Sequence, residues 1–333
     1  MTTAEPEPSP ERQGSPERHS SPERQGSPER QGGAAPRKRG VPDRETTAVK
    51  LLDASIRHSF DPQVDVAWDE PWLPDTFFLP ERLSTLYGTE LWQRMSRSHR
   101  IELSRCELAN NLAFGIWVET LFMQMLARHS LGYHPRSNHL RYALTELGDE
   151  TRHSTMFSRM MDKLDRGPYP FNPVDRFATD LLRAFSTEPL AYVAVLFVEE
   201  MFDALQRVGL RDETVQPLCR QTFRIHVVEE ARHMRFAHDE LFRLIPRLPQ
   251  VRREGLALAV AFGVGLVSRA MRTPQMYADA GLDVAEARRA ARSNPHGRAV
   301  IQECVDRFVP TYRELGLITP VSRRVWRAQG LRV

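Results

Sequence analysis

At 333 residues, with 41% apolar residues and a net charge of only +3, the chain can bury a sizeable core and is too nearly balanced to read as a nucleic-acid binder. The positive charge is almost all arginine, with lysine only at Lys38, Lys50 and Lys163, and it is spread rather than blocked. Cys106, Cys219 and Cys304 have no close pairing, which excludes a disulfide framework; with no apolar N-terminal signal, a cytoplasmic location is expected.

In chain order, residues 9–32 repeat a Ser-Pro-Glu-Arg-Gln-Gly unit four times, with one variant ending in His19-Ser20, and hold no large apolar residue. Such a segment cannot bury enough to offset its ordering entropy, so residues 1–45 read as a disordered low-complexity tail and residues 46–333 as the folded domain. Arg37-Lys38-Arg39 within the tail could serve as a docking arm, but a passive tail is the simpler reading. Residues 61–80, with Pro62, Pro71, Pro74 and Pro80 among aromatics, read as an irregular strap.

From Glu81 the pattern is helical almost throughout. One amphipathic helix is predicted over about 96–131, ending at Gly132, and a second over about 137–164; the short link makes them an antiparallel hairpin. A proline- and glycine-rich stretch at 167–173 leads to a helix ending near Phe185, and another follows over about 190–208. A fourth long helix runs over about 213–245, with Pro217 tolerable in its first turn. Further helices are expected at about 250–272, 283–292, 296–315 and 320–329. The apolar run 255–267, between Arg253 and Arg269, is too short to span a bilayer and reads as a buried helix, so no membrane segment is expected. Strand signals are nearly absent and the fold class is all-α.

Chemistry enters with a repeated turn. Glu150-Thr-Arg-His153 and Glu230-Ala-Arg-His233 are two Glu-x-x-His motifs, and Glu119 and Glu199 precede them, each at the end of an apolar run on a long helix of its own. Residues i and i+3 of a helix project from the same side, so each motif aims a carboxylate and an imidazole at one point. Two such turns plus one glutamate from each of two other helices form the ligand set of a carboxylate-bridged dinuclear iron or manganese site in a ferritin-like four-helix bundle, here with additional peripheral helices. The bland alternative places these residues on a solvated edge; it suits any one motif but gives no reason for four helices to aim carboxylates inward. Glu200 competes with Glu199, since only one of two neighbours can face the metals.

His226, four residues before Glu230 and seven before His233, lies on the same stripe and is a candidate third imidazole. Metal-bound imidazoles usually donate their other N–H to a carboxylate. Asp149 and Glu229 are placed to do so for the histidine of the opposite helix, with Arg152 and Arg232 neutralising surplus charge; solvent-facing acids are the competing reading. A hard, oxygen-rich set with two or three imidazoles favours iron or manganese. A reduced pair of irons can deliver two electrons to O2.

On these residues, and above all on His226-Val-Val-Glu-Glu230-Ala-Arg-His233, the chain resembles the non-haem diiron aminobenzoate N-oxygenase family over about residues 80–320. The resemblance implies oxidation of an aryl or similar amine toward hydroxylamine, nitroso and nitro products in natural-product biosynthesis, with O2 as co-substrate. It also implies two iron ions, with a manganese/iron pair as the variant, and an external electron donor, and a homodimer is expected. It implies that Glu119, Glu150 and His153 hold one iron and Glu199, His226 and His233 the other, with Glu150 and Glu230 available as bridges. Members bind an acidic substrate group; Arg307 is the candidate here, and Gly115 and Val195, each one turn before a ligand, are candidates for shaping the pocket. The same site in a hydroxylase or desaturase acting on a carried substrate is the alternative, followed by a ferritin-like iron-oxidising protein and a metal-free scaffold.

Overall fold

The structure, a computed structural model, describes residues 42–333. The repeats and the Arg37-Lys38-Arg39 segment lie outside the described residues, as does the rest of the predicted tail up to residue 41. Residues 42–45, assigned to that tail, are instead the entry to a helix: Asp43 caps α1 (Arg44–Arg57) by accepting from the amides of Glu45 and Thr46. Aspartate is a favoured N-cap because its carboxylate takes up orphan N–H groups, and Ala48, Leu51 and Ser55 then bury one stripe.

A 3-10 turn at Glu81–Leu83 and the short α2 (Glu90–Arg94) follow the strap over 61–80, which itself holds turns and bends but no helix. It is pinned by an isolated parallel bridge between Phe77 and Val215, with Phe77 N–H donating to the Thr214 carbonyl at 3.1 Å.

The bundle itself is α3 (Arg97–Ser130), α4 (Asn138–Leu164), α6 (Glu188–Arg211) and α7 (Pro217–Leu244). Ser96 and Ser137 cap α3 and α4, and Pro217 stands at the first position of α7, where its missing N–H costs nothing. Short links make α3/α4 and α6/α7 antiparallel hairpins; α3 also packs on α6 and α4 on α7. Between the hairpins runs the long crossover through α5 (Pro173–Phe185), the route expected for a ferritin-like bundle. The described residues contain no strand, and the all-α fold stands.

α8 (Gln250–Ala270) is one continuous helix, longer than the apolar run read from the sequence. The stretch Gln250–Asp279 is long and apolar enough to cross a membrane by length and composition. In the fold, however, α8 packs on α6 and on α12 (Pro320–Ala328), burying Leu256, Val260, Val264 and Val267, as a core helix does. α9 (Pro274–Asp279) packs against α3, α10 (Val284–Ser293) against α9, and α11 (Pro295–Glu314) against α6. All three cysteines are buried and free.

Candidate metal centre

Each bundle helix carries one of the four predicted ligand carboxylates into the interior. Glu119, Glu150 and Glu199 are 2% exposed and Glu230 is 0% exposed, where an unpaired carboxylate is costly. His153 and His233 are fully buried and His226 nearly so.

These groups converge. Ligand atoms of Glu119, His153, His226 and Glu230 lie within 4.8 Å of one another, and so do those of Glu150, His153, Glu230 and His233. The two sets overlap at His153 and Glu230, as two adjacent metal positions require. The oxygens of Glu150 lie one against each motif imidazole, Oε2 at 3.3 Å from His153 Nδ1 and Oε1 at 3.2 Å from His233 Nδ1. Glu230 Oε1 is 3.0 Å from the Nδ1 of both histidines. These two glutamates therefore stand between the positions.

The resemblance implied that His226 shares an iron with Glu199 and His233; in the structure its Nε2 lies 3.1 Å from Glu119 Oε1 and 3.7 Å from Glu230 Oε1, on the side of Glu119 and His153. The helix is the reason: on α7, residue 226 is one turn before Glu230 and residue 233 nearly one turn after, so the two rings approach from opposite sides of Glu230.

The Glu199/Glu200 ambiguity resolves the same way. Burial, then the charges of Glu230 and Glu150, raise the Glu199 carboxyl well above its ordinary range, so Glu199 faces the cluster. Glu200 lies beside Arg307 and Asp203, and burial pushes it up to about 7. Glu119 is raised by burial and then by Glu150 and Glu199. For Glu150, burial acts upward but the adjacent His233 and His153 hold it well below the ordinary value. Four mutually repelling carboxylates, an orphaned buried Glu119 Oε2, and three imidazoles form a donor set that fits a pair of hard divalent ions.

Around the cluster the supports cross between motifs. His153 Nε2–H donates to Glu229 at 2.9 Å, and His233 Nε2–H donates to Asp149 at 3.2 Å, so each imidazole is oriented by the acid next to the other motif's glutamate. Arg232 donates to Asp149 at 2.9 Å, and both Arg232 and Arg152 approach Glu229 at 3.5 Å; Arg152 also pairs with Asp149. The residues after α1 complete the layer, because Arg232 donates to the His58 carbonyl at 2.8 Å and Phe60 N–H donates to Glu229 at 3.2 Å.

Two contributors escaped the sequence reading. Gln206 Oε1 accepts from His226 Nδ1–H at 2.8 Å, turning Nε2 toward the carboxylates. Its position seven residues after Glu199, two turns along the same face, was the available signal. Glu146, one turn before Glu150, is buried with its carboxyl raised, first by burial, and its Oε2 has no partner among the described residues.

A cavity of about 970 Å³ lies beside this centre: none of the seven predicted ligands lines it, but Gln206 and Phe157, which touch His226, stand in its wall with Gly115, Phe202 and Phe223. Gly115 lines it as expected, and a Cβ there would stand 3.0 Å from the Phe157 ring, which itself packs 5.0 Å from the His226 ring. Val195 does not line it; it is part of the apolar core. Arg307 does not either. It donates to Asp203 on α6 at 2.9 Å, because the middle of α11 faces α6 while only the start of α11 reaches the cavity.

The sequence profile of the family described as p-aminobenzoate N-oxygenase AurF matches residues 41–316. The chain belongs to this family. Among curated relatives of this AurF-family chain, an uncharacterized protein of Mycobacterium tuberculosis and one of Mycobacterium bovis are each 26% identical to it over 288 residues. Each match covers 83% of this chain and 84% of the relative. Among solved structures, two point mutants of an R2-like ligand-binding oxidase are similar at 15% identity. The first, with an anaerobically reconstituted Mn/Fe cofactor, gives a TM-score of 0.41 with 83% of this chain and 93% of the other covered. The second, whose Mn/Fe cofactor was reconstituted aerobically, gives 0.37 with 86% and 90% covered. Family membership and the buried cluster make the chain a ferritin-like oxidase or oxygenase with a dinuclear metal site.

Proposed function

We propose that this AurF-family chain oxidises the nitrogen of an aryl or similar amine with O2, using two irons and electrons from an external donor. Glu119, His153 and His226 would hold one ion and Glu199 and His233 the other, with Glu150 and Glu230 between them. The observation that carries the reading is His226, a third buried imidazole set against Glu119 and Glu230 and held by Gln206. A bound metal pair would supply the redox chemistry that delivers electrons to O2 and oxidising power to nitrogen. The chain's own part is positional: Phe157, Phe202 and Phe223 offer an apolar wall that can hold an aromatic ring and exclude water, while Asp149 and Glu229 keep two imidazoles oriented. A cytoplasmic homodimer acting in natural-product biosynthesis completes the proposal.

The test is iron loading, chemical reduction and O2 exposure in the presence of a panel of aryl amines, with products read by mass. Hydroxylamine, nitroso or nitro products are expected. O2 consumption with hydroxylation at carbon, and none at nitrogen, would replace this reading with a hydroxylase.

A further inference from the structure

The cavity has two chemically different ends. Toward the metal centre it is walled by Gly115, Phe157, Phe202 and Phe223; the end formed by the C-terminus of α8, α10 and the start of α11 carries Arg269, Arg272, Arg288, Arg292 and Arg298. We propose that the substrate is an elongated molecule whose amine-bearing head reaches the metals and whose other end carries a phosphate or pyrophosphate held by these arginines. This rests on the reading above that the cavity is the substrate's.

Three observations carry it. First, about 970 Å³ is at the upper end of the roughly 300–1,000 Å³ typical of pockets for drug-sized ligands, which leaves space beyond a single aromatic ring. Second, among the described residues Asp175 neutralises Arg269 and no carboxylate pairs with the other four. Among the described residues, the Arg272 side chain donates only to the Ser268 carbonyl, at 2.8 Å, and the Arg298 side chain only to the Arg292 carbonyl, at 3.5 Å. Arg288 and Arg292 meet no carboxylate among the described residues, although the acids of this region are engaged elsewhere: Glu286 with Arg94, and Asp283 as the α10 cap. Third, the cations crowd one another, since the Arg272 guanidinium is lowered from its ordinary value by burial and then by the Arg292 and Arg269 charges, with the Tyr277 hydroxyl the one nearby group acting upward. Guanidiniums gathered without acids repel one another, and an anion bound among them relieves that repulsion. Four of them exceed what one carboxylate can balance, whereas a phosphate offers up to two charges and three acceptor oxygens in the geometry the guanidinium fork matches.

The test is calorimetric titration of the full-length, metal-loaded protein with inorganic pyrophosphate, with coenzyme A and with benzoate, without turnover. Pyrophosphate and coenzyme A are expected to bind at least about tenfold more tightly than benzoate. Tighter binding of coenzyme A than of pyrophosphate marks a tail that also enters the cavity; equal binding marks phosphate recognised alone. The exposed double substitution Arg288→Gln/Arg292→Gln should weaken both by more than about tenfold, while Arg57→Gln/Arg313→Gln, outside the cavity wall, should not. The proposal is overturned if neither phosphate compound binds, if benzoate binds as tightly, or if both double substitutions weaken binding alike. Because binding is read without oxidation, failure of amine oxidation would leave this result standing, and the converse also holds.

Discussion

At the scale of single residues, the centre depends on which nitrogen of each imidazole is left facing inward. His153 and His233 are held through Nε2 by Glu229 and Asp149, so Nδ1 faces the carboxylates. His226 is held through Nδ1 by Gln206, so Nε2 does. Gln206→Leu removes that acceptor at similar volume and should cost about 10–100-fold in affinity for the ion beside Glu119, as loss of an orienting partner does elsewhere. A competition titration with a coloured chelator measures it, and unchanged affinity would refute the role given to Gln206. A second prediction concerns repulsion. Glu119 is raised by burial and by Glu150 and Glu199, so Glu119→Gln should stabilise the metal-free protein at neutral pH while weakening metal binding. Urea denaturation with and without metal gives both signs; destabilisation of the metal-free protein would show the carboxylate to be structurally favourable.

At the scale of elements, the short connecting pieces do more than link helices. α1 packs on α4 and α7, and Glu45 accepts from the Asn138 amide at 2.7 Å, adding a second cap to the helix that carries Glu150. Its helical period was readable in residues 43–55, but the preceding repeats drew the tail boundary two residues past the Asp43 cap. Asn294 is a comparable joint between α10 and α11. Its Oδ1 accepts from His296 N–H, and its Nδ2 donates to the carbonyls of Thr85 and Tyr87, each at 3.0 Å, tying the helices under the arginine end of the cavity to the turns that follow the strap. Asn294→Ala should cost about 1–3 kcal/mol in unfolding free energy and leave metal content intact. A midpoint shift smaller than experimental error would show that water replaces these bonds.

At the scale of the molecule, the bundle and its coverings meet at a buried acid. Glu107 on α3 accepts from the Thr85 amide at 2.8 Å and from the hydroxyls of Thr85 and Ser84, and Thr85 in turn shares a 2.9 Å hydrogen bond with Tyr277 of α9. Burial pushes its carboxyl up to about 7 from 4.5, against the lowering effect of those donors. The folded protein thus holds this proton more tightly than the unfolded chain: the contribution to stability is complete below pH 4.5 and is lost as pH rises to about 7. The size is on the order of 3 kcal/mol. Glu107→Gln, which cannot ionise, should gain on the wild type progressively over that window. A difference in unfolding free energy that stays flat with pH would contradict it.

How much was legible follows from range. The all-α class, the long helices and the seven candidate ligands are readable because helical period is local: i, i+3 and i, i+4 spacings put side chains on one stripe before any partner is known. Even the crossed pairs of Asp149 with His233 and Glu229 with His153 were foreseeable, since the two motifs repeat the same acid-Glu-x-x-His order. Which carboxylate shares a metal position with His226, whether Glu199 or Glu200 turns inward, and where Arg307 and Val195 end up were not, because each depends on the rotation of one helix against another. The cavity and its arginines come from segments far apart in the chain, Gly115 from Arg272 and Arg292 among them, and no local spacing announces such a meeting. The sequence by itself determined the helices and the stripe of ligands; only packing decided which faces meet, because a helix's period sets the angle between its own side chains but not the direction in which the whole helix turns.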